Sequence, residues 1–277
     1  MYVCGQSDLI NKIDRLVEVG TFPHVFILAG DSGSGKRVLS EYISHKLGAY
    51  FVPCGLSVED VRNTIIAANS TTEKCLYMFA AAETMSDSAA NCLLKITEEC
   101  PEKAFFALTA RDLYRLLETI VNRSQVFNMN PYSIFDLKEF IEHRKIEFKA
   151  GEKNIALNVC STPGDIIYVS DVCLYDVYDL ADKFVEFIGD ANLSNSLKII
   201  SMLRIKKEDT DKIDIDLFLR CILYLASTIA QKSNEFKMCT IVSITSKYIG
   251  DVNRFNPNKE LLMSNYIIDL HTSLRGA

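Results

Sequence analysis

A chain of 277 residues, 48% hydrophobic and 24% charged, has an ordinary globular composition and the length for one large domain or two to three small ones. A net charge of −6 argues against a protein that grips nucleic acid by itself, since that binding is dominated by Lys and Arg neutralising phosphates; any DNA contact is expected to be local or shared. No stretch reaches the roughly 18 apolar residues of a membrane span and the N-terminus lacks a secretion signal, while nine scattered cysteines without a CxxC predict reduced thiols, no metal site and a cytoplasmic protein.

Residues 7–19 carry Leu9, Ile10, Ile13, Leu16 and Val17 at helical spacing behind Ser7 and Asp8, which predicts an amphipathic helix. The continuously apolar run 24–29 ends at Gly30 and predicts a buried parallel strand. Beyond a glycine-rich turn, residues 38–47 return to helical periodicity. Short strands are then expected at 50–53, 75–79, 104–109 and 124–129, with helices between them at 58–68, 86–99 and 113–121. Strands alternating with helices imply a parallel sheet covered on both faces. After Pro131 only helical periods remain, at 134–143, 152–159, 164–169, 177–188, 193–204, 213–231, 236–249 and 261–270. The expected organisation is an α/β domain over 1–130, a small helical domain over 131–176 and an all-helical domain over 177–277. The nearest approach to a basic run, Arg204, Lys206 and Lys207, is followed by Glu208, Asp209 and Asp211 and reads as a solvated helix end.

The strongest motif is Gly30-Asp31-Ser32-Gly33-Ser34-Gly35-Lys36, a GxxxxGK phosphate loop between a predicted strand and a predicted helix. Such a loop curls so that backbone N–H groups point inward, with Gly30, Gly33, Ser34 and Gly35 shaping the cradle and Lys36 reaching the outer phosphates. The next position should be a Ser or Thr whose hydroxyl binds Mg²⁺, but it is Arg37, which cannot ligate a metal. Two readings follow. The loop survives as a fold element, filled by water, sulfate or a salt bridge from Arg37, or it binds ATP or ADP without hydrolysis.

A phosphate-loop enzyme also needs acidic residues at the end of a neighbouring strand. The strand at 75–79 runs instead into Ala80-Ala81-Ala82, and Glu83 lies in the turn beyond. With the metal hydroxyl and both acids missing, no hydrolysis is expected. An alternative is a weak ATPase in which Glu83 supports an atypical metal ligation, and a small-molecule kinase fits less well because it too must position a metal.

At this point the residues resemble the AAA+ clamp-loader ATPases, and among them the delta-prime type of subunit of bacterial DNA polymerase III. Cys4-Gly5-Gln6 and Phe22-Pro23-His24 are similar to the family's N-terminal segment. Residues 80–86, Ala-Ala-Ala-Glu-Thr-Met-Ser, align with the family's Asp-Glu-Ala-His-Met-Leu-Ser, so Ala80 and Ala81 stand where the Walker B acids would be. Residues 90–99, Ala-Asn-Cys-Leu-Leu-Lys-Ile-Thr-Glu-Glu, resemble the loader signature Ala-Asn-Ala-Leu-Leu-Lys-Thr-Leu-Glu-Glu. Thr109 falls near the sensor 1 position. Residues 117–125 resemble Leu-Pro-Thr-Ile-x-Ser-Arg-Cys-Gln and keep Arg123, and residues 254–262 are similar to the last stretch of the collar helices.

The resemblance implies a P-loop domain, a small helical lid and a C-terminal helical collar that joins subunits in a hetero-oligomer. It implies a non-hydrolysing subunit whose Arg123 is an arginine finger for a neighbour's ATP; an arginine bonded within its own domain is the other reading of that residue. Asp165, after Ser161-Thr162-Pro163-Gly164, sits where the family carries a sensor 2 arginine. Implied partners are an ATPase subunit and a delta-like subunit, and through them the sliding clamp and primer-template DNA. The zinc module that many bacterial relatives insert before the acidic strand has no counterpart here.

Overall fold

The computed structural model describes residues 2–189, 193–203, 214–233, 236–255 and 258–275. Arg204, Lys206 and Lys207 lie outside the described residues, as does part of the 254–262 stretch. The chain divides into two compact units, Met1–Lys145 with Ser161–Ile166, and Ile146–Cys160 with Ile167–Ala277.

The first unit is an α/β structure: α1 (Ser7–Glu18), β1 (Val25–Ala29), α2 (Lys36–Leu47), β2 (Tyr50–Cys54), α3 (Val58–Ser70), β3 (Cys75–Phe79), α4 (Asp87–Glu98), β4 (Ala104–Ala110), α5 (Glu118–Arg123), β5 (Gln125–Asn128) and α6 (Ile134–Arg144). The five strands form one sheet in the order β2-β3-β4-β1-β5, every pair parallel. The most apolar strands, β1 and β4, are central and buried along their whole length. Pro53 is confined to the edge strand β2, where the missing N–H disturbs only one side of the ladder.

Alternate residues of each strand enter opposite cores, as the two-residue period of a strand requires. Ile27, Phe79, Phe106 and Leu108 pack with the apolar sides of α3, α4 and α5. Phe26, Leu28, Met78, Phe105 and Phe127 pack with α1 and α2. Capping boxes at Ser57/Asp60 and Ser133/Asp136 begin α3 and α6.

Two predicted helices are broken: the one over 193–204 gives way to a 3₁₀ turn after Lys198, and the one over 113–121 is interrupted near its start. Over 113–121 a 3₁₀ turn, Leu113–Arg115, is capped by the Asp112 side chain, and an extended Leu116 and Leu117 precede α5. Burying Leu116 anchors this break and overrides the helical periodicity.

The second unit contains α7 (Glu152–Val159) and α9 (Leu174–Gly189), and then α10 (Leu193–Lys198), which passes into a 3₁₀ turn, Ile199–Met202. The helices α11 (Ile215–Ser233), α12 (Phe236–Phe255) and α13 (Lys259–Arg275) follow. Its core is aromatic: Phe184 meets Phe218 edge-on and Tyr266 face-on, and the buried Tyr266 hydroxyl lies 2.7 Å from Thr245 Oγ1. Helix α8 (Pro163–Ser170) opens within the Ser161–Ile166 segment of the first unit. Among the described residues, no helix is long and apolar enough to cross a membrane and no cluster of His, Cys, Asp and Glu could hold a metal.

Candidate functional site

The phosphate loop lies at the C-terminal end of β1, beside the ends of β3 and β4, because β4 is inserted between β1 and β3. Gly33 (φ +74°) and Gly35 (φ +82°) take left-handed conformations open to glycine at little cost, and Gly35 ends the loop directly before α2. The sheet therefore brings together the loop, Ala80-Ala81, Glu83 and Thr109, as the sequence requires of a site. Arg123, at the far end of α5, belongs to a separate surface.

Lys36 is bound within its own loop. Its Nζ donates to Gly30 O and Asp31 O, both at 2.6 Å, and lies 3.5 Å from Ser34 Oγ. Burial holds the Lys36 ammonium below its ordinary pKa, with Glu83 and Asp31 pulling the other way. The Arg111 guanidinium lies 4.0 Å from Asp31, so two cations and two carboxylates largely balance around the loop. Arg37 does not cross the loop. It turns outward to Glu41, one turn along α2, at 3.1 Å. Lys36 thus bonds within the loop, while the salt bridge of Arg37 is made outside it.

At the end of β3, Ala80 and Ala81 offer no side-chain oxygen to a metal. Ala81 adopts a left-handed conformation (φ +53°), and its N–H donates to Thr109 Oγ1 at 3.0 Å. The Thr109 hydroxyl, buried at the end of β4, accordingly ties two strand ends together. Glu83 sits in the 3₁₀ turn Ala82–Thr84, where its Oε1 accepts the Arg111 N–H at 2.9 Å. Its Oε2 is buried without a hydrogen-bond partner. With Arg37 turned away and alanines at the strand end, the side chains do not fit a Walker-type Mg²⁺ site.

Two contacts, invisible in the sequence, hold the loop from outside. Tyr132, just before α6, donates its hydroxyl to Ser34 O at 2.6 Å. Gly164 N–H donates to Gly33 O at 2.9 Å, and the backbones approach so closely that a Cβ on Gly164 would lie 2.4 Å from Gly33 Cα. Asp165 has a local role there. Its Oδ2 accepts the N–H groups of Ser161 and Thr162 at 3.0 and 3.1 Å, while its own N–H donates to Thr162 Oγ1 at 3.2 Å. This is a capping box at the start of α8, with Pro163 in the first helical position. The S/T-x-x-D spacing at 162–165 was the available signal. Nearby, Gln6 is fully buried and exchanges two hydrogen bonds with the Asn130 backbone, at 2.9 and 2.8 Å.

Arg123 Nη2 lies 2.8 Å from Glu98 Oε1, and both side chains are about half exposed. The within-domain partner considered for this arginine therefore exists, on a surface open to solvent. All nine cysteines are free thiols; burial pushes the Cys100 thiol up to about 11 and Cys221 up to about 12, which keeps both protonated at neutral pH.

Residues 56–133 match the protein family described as "DNA polymerase III, delta subunit". Among curated proteins, the chain is 24% identical over 172 residues to DNA polymerase III subunit gamma of Buchnera aphidicola subsp. Schizaphis graminum, covering 51% of this chain and 47% of that one. It is 20% identical over 268 residues to DNA polymerase III subunit tau of Bacillus subtilis, covering 78% and 48%. The chain spans about half the length of these relatives. Among solved structures, a variant of Thermotoga maritima RuvB superposes with a TM-score of 0.51 at 14% identity, covering 83% of this chain and 78% of that one, a likeness of fold alone. None of these similarities singles out delta-prime.

Proposed function

We propose that this chain, similar to gamma and tau subunits, belongs to the AAA+ clamp-loader family and is a non-hydrolysing subunit of a DNA polymerase III clamp loader, of delta-prime type. It acts as a stator in a cytoplasmic hetero-oligomer with an ATPase subunit and a delta-like subunit, and through them serves the sliding clamp and primer-template DNA. In this reading 1–130 is the P-loop domain, 131–176 the lid and 177–277 the collar.

The observation that carries the reading is the phosphate loop itself. Lys36 is bonded to Gly30 O and Asp31 O, and Arg37, Ala80 and Ala81 stand where a metal hydroxyl and two acids would be required. The loop is inherited scaffold, needing neither nucleotide nor metal. What the subunit contributes to catalysis is Arg123, whose planar guanidinium can stabilise charge developing on a neighbour's phosphate.

The test has two parts. Purified chain with Mg²⁺ and ATP should release no more phosphate than its Lys36→Ala variant. In a loader reconstituted with the ATP-hydrolysing subunits of the same organism, Arg123→Ala should remove turnover at one site, since an arginine finger is worth about 10³ or more where it acts. Unchanged loader turnover would rule out the finger. A second reading, an ATPase with atypical metal ligation, is favoured by one observation, the buried and unpartnered Oε2 of Glu83. Sustained phosphate release that depends on both Lys36 and Glu83 would make it the better account.

A further inference from the structure

We propose that Glu98 is a positioning residue that holds Arg123 in a resting ion pair, from which the arginine must be released before it reaches a neighbouring subunit's phosphate. The proposal rests on the reading of Arg123 as a finger. It adds a regulatory residue that the family resemblance does not assign.

The pair is built from two helix ends. Glu98 is the last residue of α4 and Arg123 the last of α5, and their side chains meet at 2.8 Å. A helix C-terminus carries partial negative charge, which favours a cation and disfavours a carboxylate. Arg123 is therefore at home at the end of α5, whereas Glu98 at the end of α4 gains from having a guanidinium beside it. That asymmetry gives the carboxylate a reason to draw the arginine towards α4.

The pair is also weak enough to exchange. Side-chain exposure of 42% for Arg123 and 53% for Glu98 leaves both groups in high-dielectric surroundings, where water competes for each. A triphosphate carries several negative charges and presents oxygens that suit the two-pronged guanidinium better than one exposed carboxylate does. Arriving phosphate would thus displace Glu98, while in its absence the pair keeps the long side chain in one conformation. A buried pair of the same geometry could not serve, because breaking it would strand a desolvated charge.

The experiment uses the full chain in a loader reconstituted with the ATP-hydrolysing subunits of the same organism, with steady-state hydrolysis as the readout. Glu98→Gln should raise kcat by about two- to fivefold, the range set by an exposed ion pair, with little change in KM for ATP. The gain should shrink as added salt screens the pair in the parent protein. Glu98→Asp, which keeps the charge on a shorter arm, should fall between parent and Gln. In an Arg123→Ala background, Glu98→Gln should do nothing.

If Arg123→Ala lowers turnover but Glu98→Gln leaves it unchanged or reduces it, the resting pair is overturned and the finger stands. A gain from Glu98→Gln that persists with Ala at 123 also overturns it, because the carboxylate would then act through general charge rather than through the arginine. Should Arg123→Ala itself leave turnover at the parent value, the finger reading fails and the proposal falls with it. Equal thermal midpoints for the parent and Glu98→Gln proteins would confirm that the fold is intact, as expected for a surface side chain.

Discussion

Two hydroxyl groups hold the backbone around the phosphate loop, and each makes a residue-scale prediction. Thr109 Oγ1 accepts the Ala81 N–H at 3.0 Å, so Thr109→Val, similar in shape but without the oxygen, leaves that donor unpaired. The expected loss is about 1–3 kcal/mol, measured by urea denaturation. Tyr132→Phe removes the bond to Ser34 O and should lose about 1 kcal/mol in the same assay. Burial pushes the Tyr132 phenol up to about 12, above the usual value of 10.0. Above pH 10 the unfolded chain releases this proton more readily than the folded chain, so the phenol's stabilising effect is full below that pH and fades as pH rises through 12. Parent protein should therefore lose stability more steeply than Tyr132→Phe over that window. Thr109 was legible in the sequence as a polar group at a strand end, but its partner was not. The left-handed turn at Ala81 that presents the N–H leaves no mark in a run of three alanines.

At the scale of elements, the contact between the loop and the start of α8 is governed by two glycines and one carboxylate. A methyl on Gly164 would lie 2.4 Å from Gly33 Cα, and one on Gly33 would lie 2.6 Å from Thr162 Oγ1 on a backbone of φ +74°. Gly164→Ala is expected to cost about 1–3 kcal/mol through overpacking, read as a shift in the denaturation midpoint. Asp165→Ala should cost about 1 kcal/mol through loss of the capping box. Asp165→Arg, which places here the arginine that the resembled clamp-loader ATPases carry, should lose stability in the same way and gain no nucleotide binding. Against a catalytic template alone, Asp165 is a missing arginine. Its side chain is instead used in starting a helix. The broken helix over 113–121 escaped sequence reading for a related reason: Leu113, Leu116, Leu117 and Ile120 fit a helical period, while the capping by Asp112 and the burial of Leu116 are decided locally and in three dimensions.

For the molecule as a whole, the alternation of strands and helices was legible because buried parallel strands are short apolar runs and helices carry a longer period. Sheet order was less accessible: that β4 stands between β1 and β3, bringing Thr109 to Ala81, is a matter of topology rather than pattern. The bonds of Lys36 to Gly30 O and Asp31 O, with Arg37 held by Glu41 outside the loop, predict indifference to nucleotide. Millimolar MgATP should leave the thermal midpoint of the purified chain unmoved, whereas a ligand at about a hundred times its Kd would add roughly 2.7 kcal/mol.

The bond from Gly164 to Gly33 provides a finer gauge. Amides in the first turn of a helix have no partner within it and ordinarily trade their protons with solvent quickly. Here one of them is held by the phosphate loop at 2.9 Å. Its deuterium uptake becomes a clock for how often the turn lifts away, readable on one proton and without any turnover to follow.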